Sequence, residues 1–67
     1  MTTNLQRIRQ AAGLSQRQLA DKAKINFRTL QDYEQGRKSI NRAAAEEVQK
    51  IADALGCSVK NILEYME

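Results

Sequence analysis

The stretch from Gln16 to Gly36 most constrains what this chain can fold into, because it predicts two short helices joined by a tight turn. Apolar and small residues recur at helical spacing over residues 16–23 and again over residues 27–35. Ser15 and Asn26 immediately precede these segments, where a side-chain oxygen can accept from the unpaired N–H groups of a first helical turn. The stretch therefore predicts a pair of capped helices that share a buried turn.

From Leu14 onward the chain carries the motif L-S-Q-x-x-L-A-x-x-A-x-I-x-x-x-T-L-x-x-Y-E-x-G. This motif resembles the helix-turn-helix of the phage Cro/repressor family, also called XRE-like regulators. The resemblance runs from about Asn4 to Leu63, since it includes an upstream I-R-x-x-A-G-L-S and a downstream I-A-x-A-L-G-C-S-V-x-x-I-L. It implies an all-α fold, a compact five-helix repressor-like DNA-binding domain whose second and third helices form the helix-turn-helix. It also implies a transcriptional regulator that binds double-stranded DNA in a sequence-specific way.

Length and composition limit the other classes of protein. A chain of 67 residues suffices for one domain, which we expect to span residues 1–67. The sequence has no apolar run that could cross a membrane and no N-terminal pattern of an exported protein, so we expect a cytoplasmic protein. Cys57 is the only cysteine and histidine is absent, so we expect no disulfide within one chain, no metal site and no cofactor.

The charge is distributed unevenly along the chain. Residues 1–42 contain nine lysines and arginines against three acidic residues, whereas residues 43–67 contain two lysines against five acidic residues. A basic segment that includes both motif helices is what binding to phosphate groups requires. An ordinary solvated surface would give a similar distribution, so the charge supports DNA binding without deciding it.

A helix is also predicted before the motif, from Thr3 to Ala12. Arg9 lies beside its apolar stripe, and Glu34 lies about 40° from the buried direction of the second motif helix on a helical wheel. The resemblance implies that Arg9 and Glu34 form a structural salt bridge between the two helices. The alternative is two independent surface charges, whose pairing would contribute about 0–1 kcal/mol.

The second motif helix is the candidate reader of bases, because recognition helices of this class present their N-terminal residues to the major groove. Arg28 suits a bidentate pair with guanine, Gln31 suits adenine, and Phe27 suits a thymine methyl group. Asp32 suits an acceptor role toward cytosine or an ion pair with Arg28. Phe27 is equally suited to flank the core. The alternative for Arg28 and Asp32 is a surface ion pair that takes no part in binding. The predicted base contacts are Asn26, Phe27, Arg28, Thr29, Gln31 and Asp32.

Residues on both sides of this helix are predicted to contact the DNA backbone. A helix N-terminus directs free N–H groups at anions, and the resemblance implies a phosphate contact for Gln16 at the start of the first motif helix. The basic loop after Gly36 occupies a position that often binds phosphate in the resembling family. The alternative for Gln16 is a residue that simply favours the first turn of a helix. The alternative for the loop after Gly36 is a basic segment exposed to solvent. The predicted backbone contacts are Gln16, Arg17, Arg37, Lys38, Ser39 and Arg42.

The chain departs from the family pattern at Lys24, where the family usually has glycine. The resemblance implies a left-handed backbone at this position, which costs a non-glycine residue about 1–2 kcal/mol. We expect the turn to survive, because the surrounding motif is intact.

Two further helices are predicted after the motif. The longer one runs from Asn41, as its cap, to Leu55, and Ser58 is placed to cap a last helix that reaches about Tyr65. Tyr65 and Met66 are apolar groups that the core does not need, so they are candidates for a dimer contact. The alternative is a frayed C-terminal end.

No enzyme is predicted, because the sequence lacks histidine, a glycine-rich phosphate loop and a plausible nucleophile. We predict a transcriptional repressor that binds double-stranded DNA as a homodimer on a pseudo-palindromic site. No membrane and no small-molecule ligand are expected as partners. The alternative is a small helical protein-interaction module, or an antagonist of a related regulator, that keeps the fold without binding DNA.

Overall fold

Five α-helices build the structure, a computed structural model that describes residues 2–64. A 3-10 turn over Ile40–Arg42 separates the third helix from the fourth, and no strand occurs within residues 2–64. The predicted all-α, five-helix fold is confirmed. In chain order the helices are α1 (Asn4–Ala11), α2 (Gln16–Ala23), α3 (Phe27–Gln35), α4 (Ala45–Leu55) and α5 (Val59–Ile62).

Local capping bonds explain why α2 and α3 begin where they do. Ser15 Oγ accepts from the N–H of Gln18 at 3.0 Å, and Gln18 Oε1 accepts from the N–H of Ser15 at 2.9 Å. The carboxamide oxygen of Asn26 accepts from the N–H groups of Arg28 and Thr29 at 2.8 and 3.3 Å. These bonds satisfy donors that a first helical turn leaves free. Both helices have the bounds that the sequence predicts.

The turn between α2 and α3 depends on one residue with a left-handed backbone. Lys24 has φ 59° and ψ 45°, and it is the single non-glycine residue with a positive φ within residues 2–64. The N–H of Ile25 donates to the carbonyl of Ala20 at 3.0 Å and closes the end of α2. Lys24 thus holds a conformation that glycine adopts without steric cost.

Each helix contributes one large aliphatic side chain that is fully buried. α2 packs against both α3 and α4, while α1 packs against α3 and α5. Ala20 on α2 and Ala52 on α4 are also buried, and such small residues allow crossed helices to approach closely. The five buried side chains, one from each helix in order, are Leu5, Leu19, Leu30, Ile51 and Ile62.

An ion pair lies inside this apolar core. Arg9 Nε donates to Glu34 Oε2 at 2.6 Å, and the two side chains are only 10% and 1% exposed. A second nitrogen of Arg9 donates to the carbonyl of Leu14 at 2.8 Å, and Thr3 Oγ1 donates to the carbonyl of Glu34 at 3.2 Å. The pair therefore joins α1 to α3 and to the loop that precedes α2. No buried side-chain nitrogen or oxygen in the described part of the chain lacks a hydrogen-bond partner.

The predicted start of the longest helix was wrong. α4 begins at Ala45 instead of Asn41, because the side chain of Asn41 bonds to a distant segment and not to the N–H groups of a following helical turn. Its Oδ1 accepts from the N–H of Glu64 at 2.8 Å, and its Nδ2 donates to the carbonyl of the same residue. Arg42 consequently lies in the 3-10 turn and not in the first turn of α4.

The outer ends of α1 and α5 also differ from the prediction. α1 begins one residue later than predicted because Thr3 is its cap, with Oγ1 accepting from the N–H of Gln6 at 3.2 Å. α5 ends at Ile62, although Ser58 is its N-cap residue as predicted. Tyr65, the predicted end of this helix, lies outside the described residues.

A buried tyrosine joins α3 to α4. Tyr33 is 6% exposed, and its hydroxyl donates to the carboxylate of Glu47. Burial, followed by the hydrogen bond to Glu47 and the negative charge of that carboxylate, raises the pKa of Tyr33 from 10.0 to about 12. The protonated phenol is thus the form that the fold stabilises.

Breaking the buried ion pair on one side is expected to destabilise the fold more than removing both charges. Arg9→Met leaves the Glu34 carboxylate buried without its cation and should lower the free energy of unfolding by about 3 kcal/mol. The double variant Arg9→Met with Glu34→Leu leaves no buried charge and should lie closer to the wild type. Urea unfolding followed by circular dichroism measures both. Losses that simply add would contradict the pairing.

Relieving the left-handed backbone is expected to stabilise the protein. Lys24→Gly should raise the free energy of unfolding by about 1 kcal/mol, because glycine has no Cβ to clash with the backbone at this φ. Lys24→Ala removes the same charge but retains Cβ, so it should give no comparable gain in a urea titration. Equal gains in the two variants would assign the effect to the lost charge instead.

The Tyr33 hydroxyl is expected to make stability fall at high pH. The folded protein keeps this proton up to about pH 12, whereas the unfolded chain releases it near pH 10.0. The contribution is therefore complete below pH 10 and is lost as the pH rises through 12. Urea unfolding across this range should show a steeper loss for the wild type than for Tyr33→Phe. Parallel curves would show that this phenol does not titrate as described.

Candidate nucleic-acid interface

The fold brings together residues that the sequence predicts as DNA contacts on α2 and α3. Gln16 and Arg17 open α2, Phe27 opens α3, and Gln31 lies one turn further along α3. Gln16 contacts Gln31, and Arg17 contacts Phe27. Side chains predicted to contact bases therefore lie beside side chains predicted to contact the DNA backbone.

Buried Glu34 determines how the first pair is oriented. Glu34 Oε1 accepts from Nε2 of Gln16 at 3.0 Å, while Glu34 Oε2 is bound to Arg9. A carboxylate paired with arginine only accepts hydrogen bonds, so Gln16 turns its amide nitrogen toward Glu34 and its carbonyl oxygen away. That oxygen accepts from Nε2 of Gln31 at 3.5 Å. Gln31 then retains its carbonyl oxygen and a second N–H for a ligand.

The second pair is a cation over an aromatic ring. The guanidinium carbon of Arg17 lies 4.2 Å from the centroid of the Phe27 ring, well within the range of cation–π attraction. Arg17 is exposed, whereas Phe27 is half-buried and packs against the core. Phe27 thus takes part in the core and in the surface next to the start of α2.

Arg28 is exposed on α3 and has only a weak contact with another side chain. Its side chain is 76% exposed, and its Nε lies 3.9 Å from Asp32 Oδ1 one turn along the helix. Arg37, in the loop after α3, lies 3.5 Å from the same oxygen. Exposed pairs at these distances contribute little to stability. Asp32 therefore lies between two arginines that remain available to a ligand.

The remaining two predicted base contacts are Asn26, the N-cap of α3, and Thr29 in its first turn. The carboxamide oxygen of Asn26 is used to cap the helix, so only its amide group remains available to a partner outside the protein. Thr29 is half-buried. The capping role limits Asn26 to donating hydrogen bonds.

The predicted backbone contacts after α3 lie along one exposed segment. Gly36 ends the helix with φ 78°, and the N–H groups of Arg37 and Lys38 donate to the carbonyl of Asp32 at 2.9 and 3.2 Å. The segment then turns through the 3-10 element that contains Arg42. The exposed members are Arg37, Lys38, Ser39 and Arg42.

A group of lysines that the sequence analysis did not bring together lies on another side of α2. Lys22, Lys24 and Lys50 line a surface cleft of about 370 Å³ together with the acidic residue Asp53 and the alanines Ala23 and Ala54. Packing of α2 against α4 brings Lys50 to this cleft, and no spacing along the sequence indicates it. Part of the positive charge of residues 1–42 therefore lies away from the basic loop after α3.

Other predictions concern residues outside this surface. Tyr65 and Met66, the candidate dimer contacts, lie outside the described residues. No helix within residues 2–64 is long and apolar enough to span a membrane. The same residues contain no group of histidine, cysteine, aspartate or glutamate side chains arranged to hold a metal ion. Cys57 packs against the core, and burial raises the pKa of its thiol.

Comparison with known proteins identifies the family of the chain. A family model described as helix-turn-helix matches residues 5–61, which include all of α2, the turn and α3. Neither a curated protein nor a solved structure gives a significant match. The match covers most of the chain. The chain therefore belongs to the XRE-like helix-turn-helix family and is a DNA-binding regulator of transcription.

Proposed function

We propose that this regulator acts as a repressor by placing α3 in the major groove of an operator. The observation that carries the proposal is the chain of hydrogen bonds from buried Glu34 through Gln16 to Gln31. It orients a polar side chain on the helix that enters the groove in proteins of this class. Occupation of the operator then blocks access to the promoter.

Gln31 is suited to adenine because of the atoms that Gln16 leaves unused. One N–H of Gln31 donates to Gln16, so a carbonyl oxygen and one N–H remain. Adenine presents the complementary pattern in the major groove, with its N6 amino group as donor and N7 as acceptor. An amide held in this orientation before binding loses less side-chain freedom when it pairs.

Arg28 is suited to guanine, because its guanidinium is exposed and only weakly held by Asp32. A bidentate pair with the O6 and N7 atoms of guanine is the commonest specific contact of arginine with a base. Asp32 can keep Arg37 as a partner when Arg28 turns toward the DNA. Asn26 and Thr29 are the other candidate base contacts near the start of α3. The capping bonds leave Asn26 only the N–H groups of its side-chain amide for a hydrogen bond to a base.

The DNA backbone is bound on both sides of α3 in this proposal. Gln16 uses its second N–H for a phosphate at the start of α2. The loop after α3 supplies the cations and the hydroxyl on the other side. Each lysine or arginine that binds a phosphate displaces counterions and makes affinity depend on salt. The residues of this loop proposed to contact the backbone are Arg37, Lys38, Ser39 and Arg42.

Two copies are proposed to occupy a pseudo-palindromic operator. Half-sites one helical turn apart place the copies about 34–36 Å from centre to centre. The described part of one copy extends over 31 × 23 × 21 Å, so two copies at this spacing need not overlap. Tyr65 and Met66 remain the candidate residues for a contact between the copies.

Arg28→Ala is expected to relax the sequence preference without abolishing attraction to DNA. A randomised duplex library, selected at two salt concentrations, should yield a palindromic site with the wild-type protein. The variant should lose preference at one position of each half-site, worth about 1–3 kcal/mol. Lys60→Ala is the matched control, since it removes an exposed positive charge from α5, and it should leave the site unchanged.

The same selection separates the proposal from its alternatives. Arg37→Ala should weaken all sequences alike and reduce the slope of affinity against salt by about one unit. Weak binding without enrichment, indifferent to Arg28, would leave only generic attraction to phosphate. Absence of binding at low salt would contradict operator recognition and favour a module that binds proteins.

A further inference from the structure

The cation–π pair of Arg17 and Phe27 is not explained by the stability of the helices that carry it. Arg17 lies in the first turn of α2, where the helix dipole favours negative charge and opposes a cation. The first turn of α4 follows this rule, with Glu46 and Glu47. The first turns of α1, α2, α3 and α5 contain no acidic residue, and those of α2, α3 and α5 carry Arg17, Arg28 and Lys60. Among these cations, Arg17 is the one whose guanidinium lies over an aromatic ring in the described part of the chain.

The aromatic ring holds this cation in a defined place. Phe27 is anchored because it packs against the core, and the guanidinium of Arg17 lies 4.2 Å from its centroid. Within residues 2–64, no ion pair or hydrogen bond of the Arg17 side chain competes with this contact. The planar guanidinium covers part of an apolar ring while its N–H groups remain available at its edge.

We propose that Arg17 and Phe27 together form a reader of the 5-methyl group of a pyrimidine in the major groove. The inference rests on the proposed function, in which α3 enters the groove by its N-terminal end, where Phe27 is the first helical residue. The methyl group of thymine is the apolar feature of the major-groove edge, and phenylalanine is among the side chains that contact it. The edge of the guanidinium binds a phosphate beside that base, so the ring positions Arg17 and Arg17 anchors the strand.

The methyl group, and not the rest of thymine, is what this pair recognises. 5-Methylcytosine carries a methyl group on the same ring carbon, so it presents the same apolar feature to the groove. A site that carries cytosine at this position of each half-site therefore binds the regulator more tightly when that cytosine is methylated. Arg28 and Gln31, which address other base edges, do not confer this sensitivity.

The test compares duplexes that differ by single methyl groups. A library is selected with thymine and again with deoxyuridine in its place, and the enriched site is then remade with single replacements. The wild type should bind thymine about fourfold more tightly than deoxyuridine at one position of each half-site, the effect of burying one methyl group. At the same position, 5-methylcytosine should bind about fourfold more tightly than cytosine.

Three variants connect this discrimination to the pair. Arg17→Lys keeps the charge but loses the planar face, so the preference for thymine should fall below about twofold while the salt dependence remains. Phe27→Leu keeps an apolar core residue without the ring and should give the same reduction. Arg7→Lys makes the same chemical change at an exposed position of α1, outside the proposed DNA contacts, and should retain the full preference. Circular dichroism checks that each variant is folded.

The outcomes distinguish this inference from the function on which it rests. An enriched site with equal affinity for thymine and deoxyuridine would overturn the methyl reader and leave operator recognition intact. An unchanged preference in Arg17→Lys would likewise overturn the role of the pair. No enrichment with either library would overturn both.

Discussion

The buried ion pair of Arg9 and Glu34 is the interaction on which the rest of the structure depends. A carboxylate that is 1% exposed must find partners inside the protein, because burying an unpaired charge is far more costly than any single contact returns. Glu34 finds them on three sides. Its oxygens bind Arg9 from α1 and Gln16 from α2, and its carbonyl accepts from Thr3. Glu34, through its side chain and its backbone, thus links α3 to α1, to the residue that caps α1 and to α2.

This arrangement connects the folding of the core with the chemistry of the surface. The carboxylate leaves Gln16 one orientation of its amide, and Gln16 in turn leaves Gln31 one N–H and one carbonyl oxygen for an external partner. In the proposed complex these side chains are oriented before they meet DNA, which reduces the entropy lost on binding. A functional residue held by buried partners is also placed more accurately than one held only by loops.

The parts of the fold that the sequence predicted well are those with local causes. The bounds of α2 and α3 follow from Ser15 and Asn26, which cap helices through neighbours two or three residues away. The start of α4 was wrong because Asn41 bonds to Glu64, 23 residues later, and a cap and a long-range anchor look alike in a sequence. The position that departs from the family pattern, Lys24, has the left-handed backbone that the resemblance implied.

In the candidate surface, too, contacts between distant segments were not predictable from the sequence. Helical periodicity indicates which side chains of α3 point outward, but it cannot indicate that Arg17 lies over Phe27, because that contact depends on how two helices cross. The contact matters because it holds an exposed guanidinium at the start of α2, where the helix dipole opposes a cation. The fold accepts this locally unfavourable charge while it buries one aliphatic side chain per helix and the paired Glu34 carboxylate. A small protein that presents positive charge to a polyanion must also remain folded when the polyanion is absent. The unfavourable placement of charge at its surface must therefore be offset by burial of apolar side chains in its core.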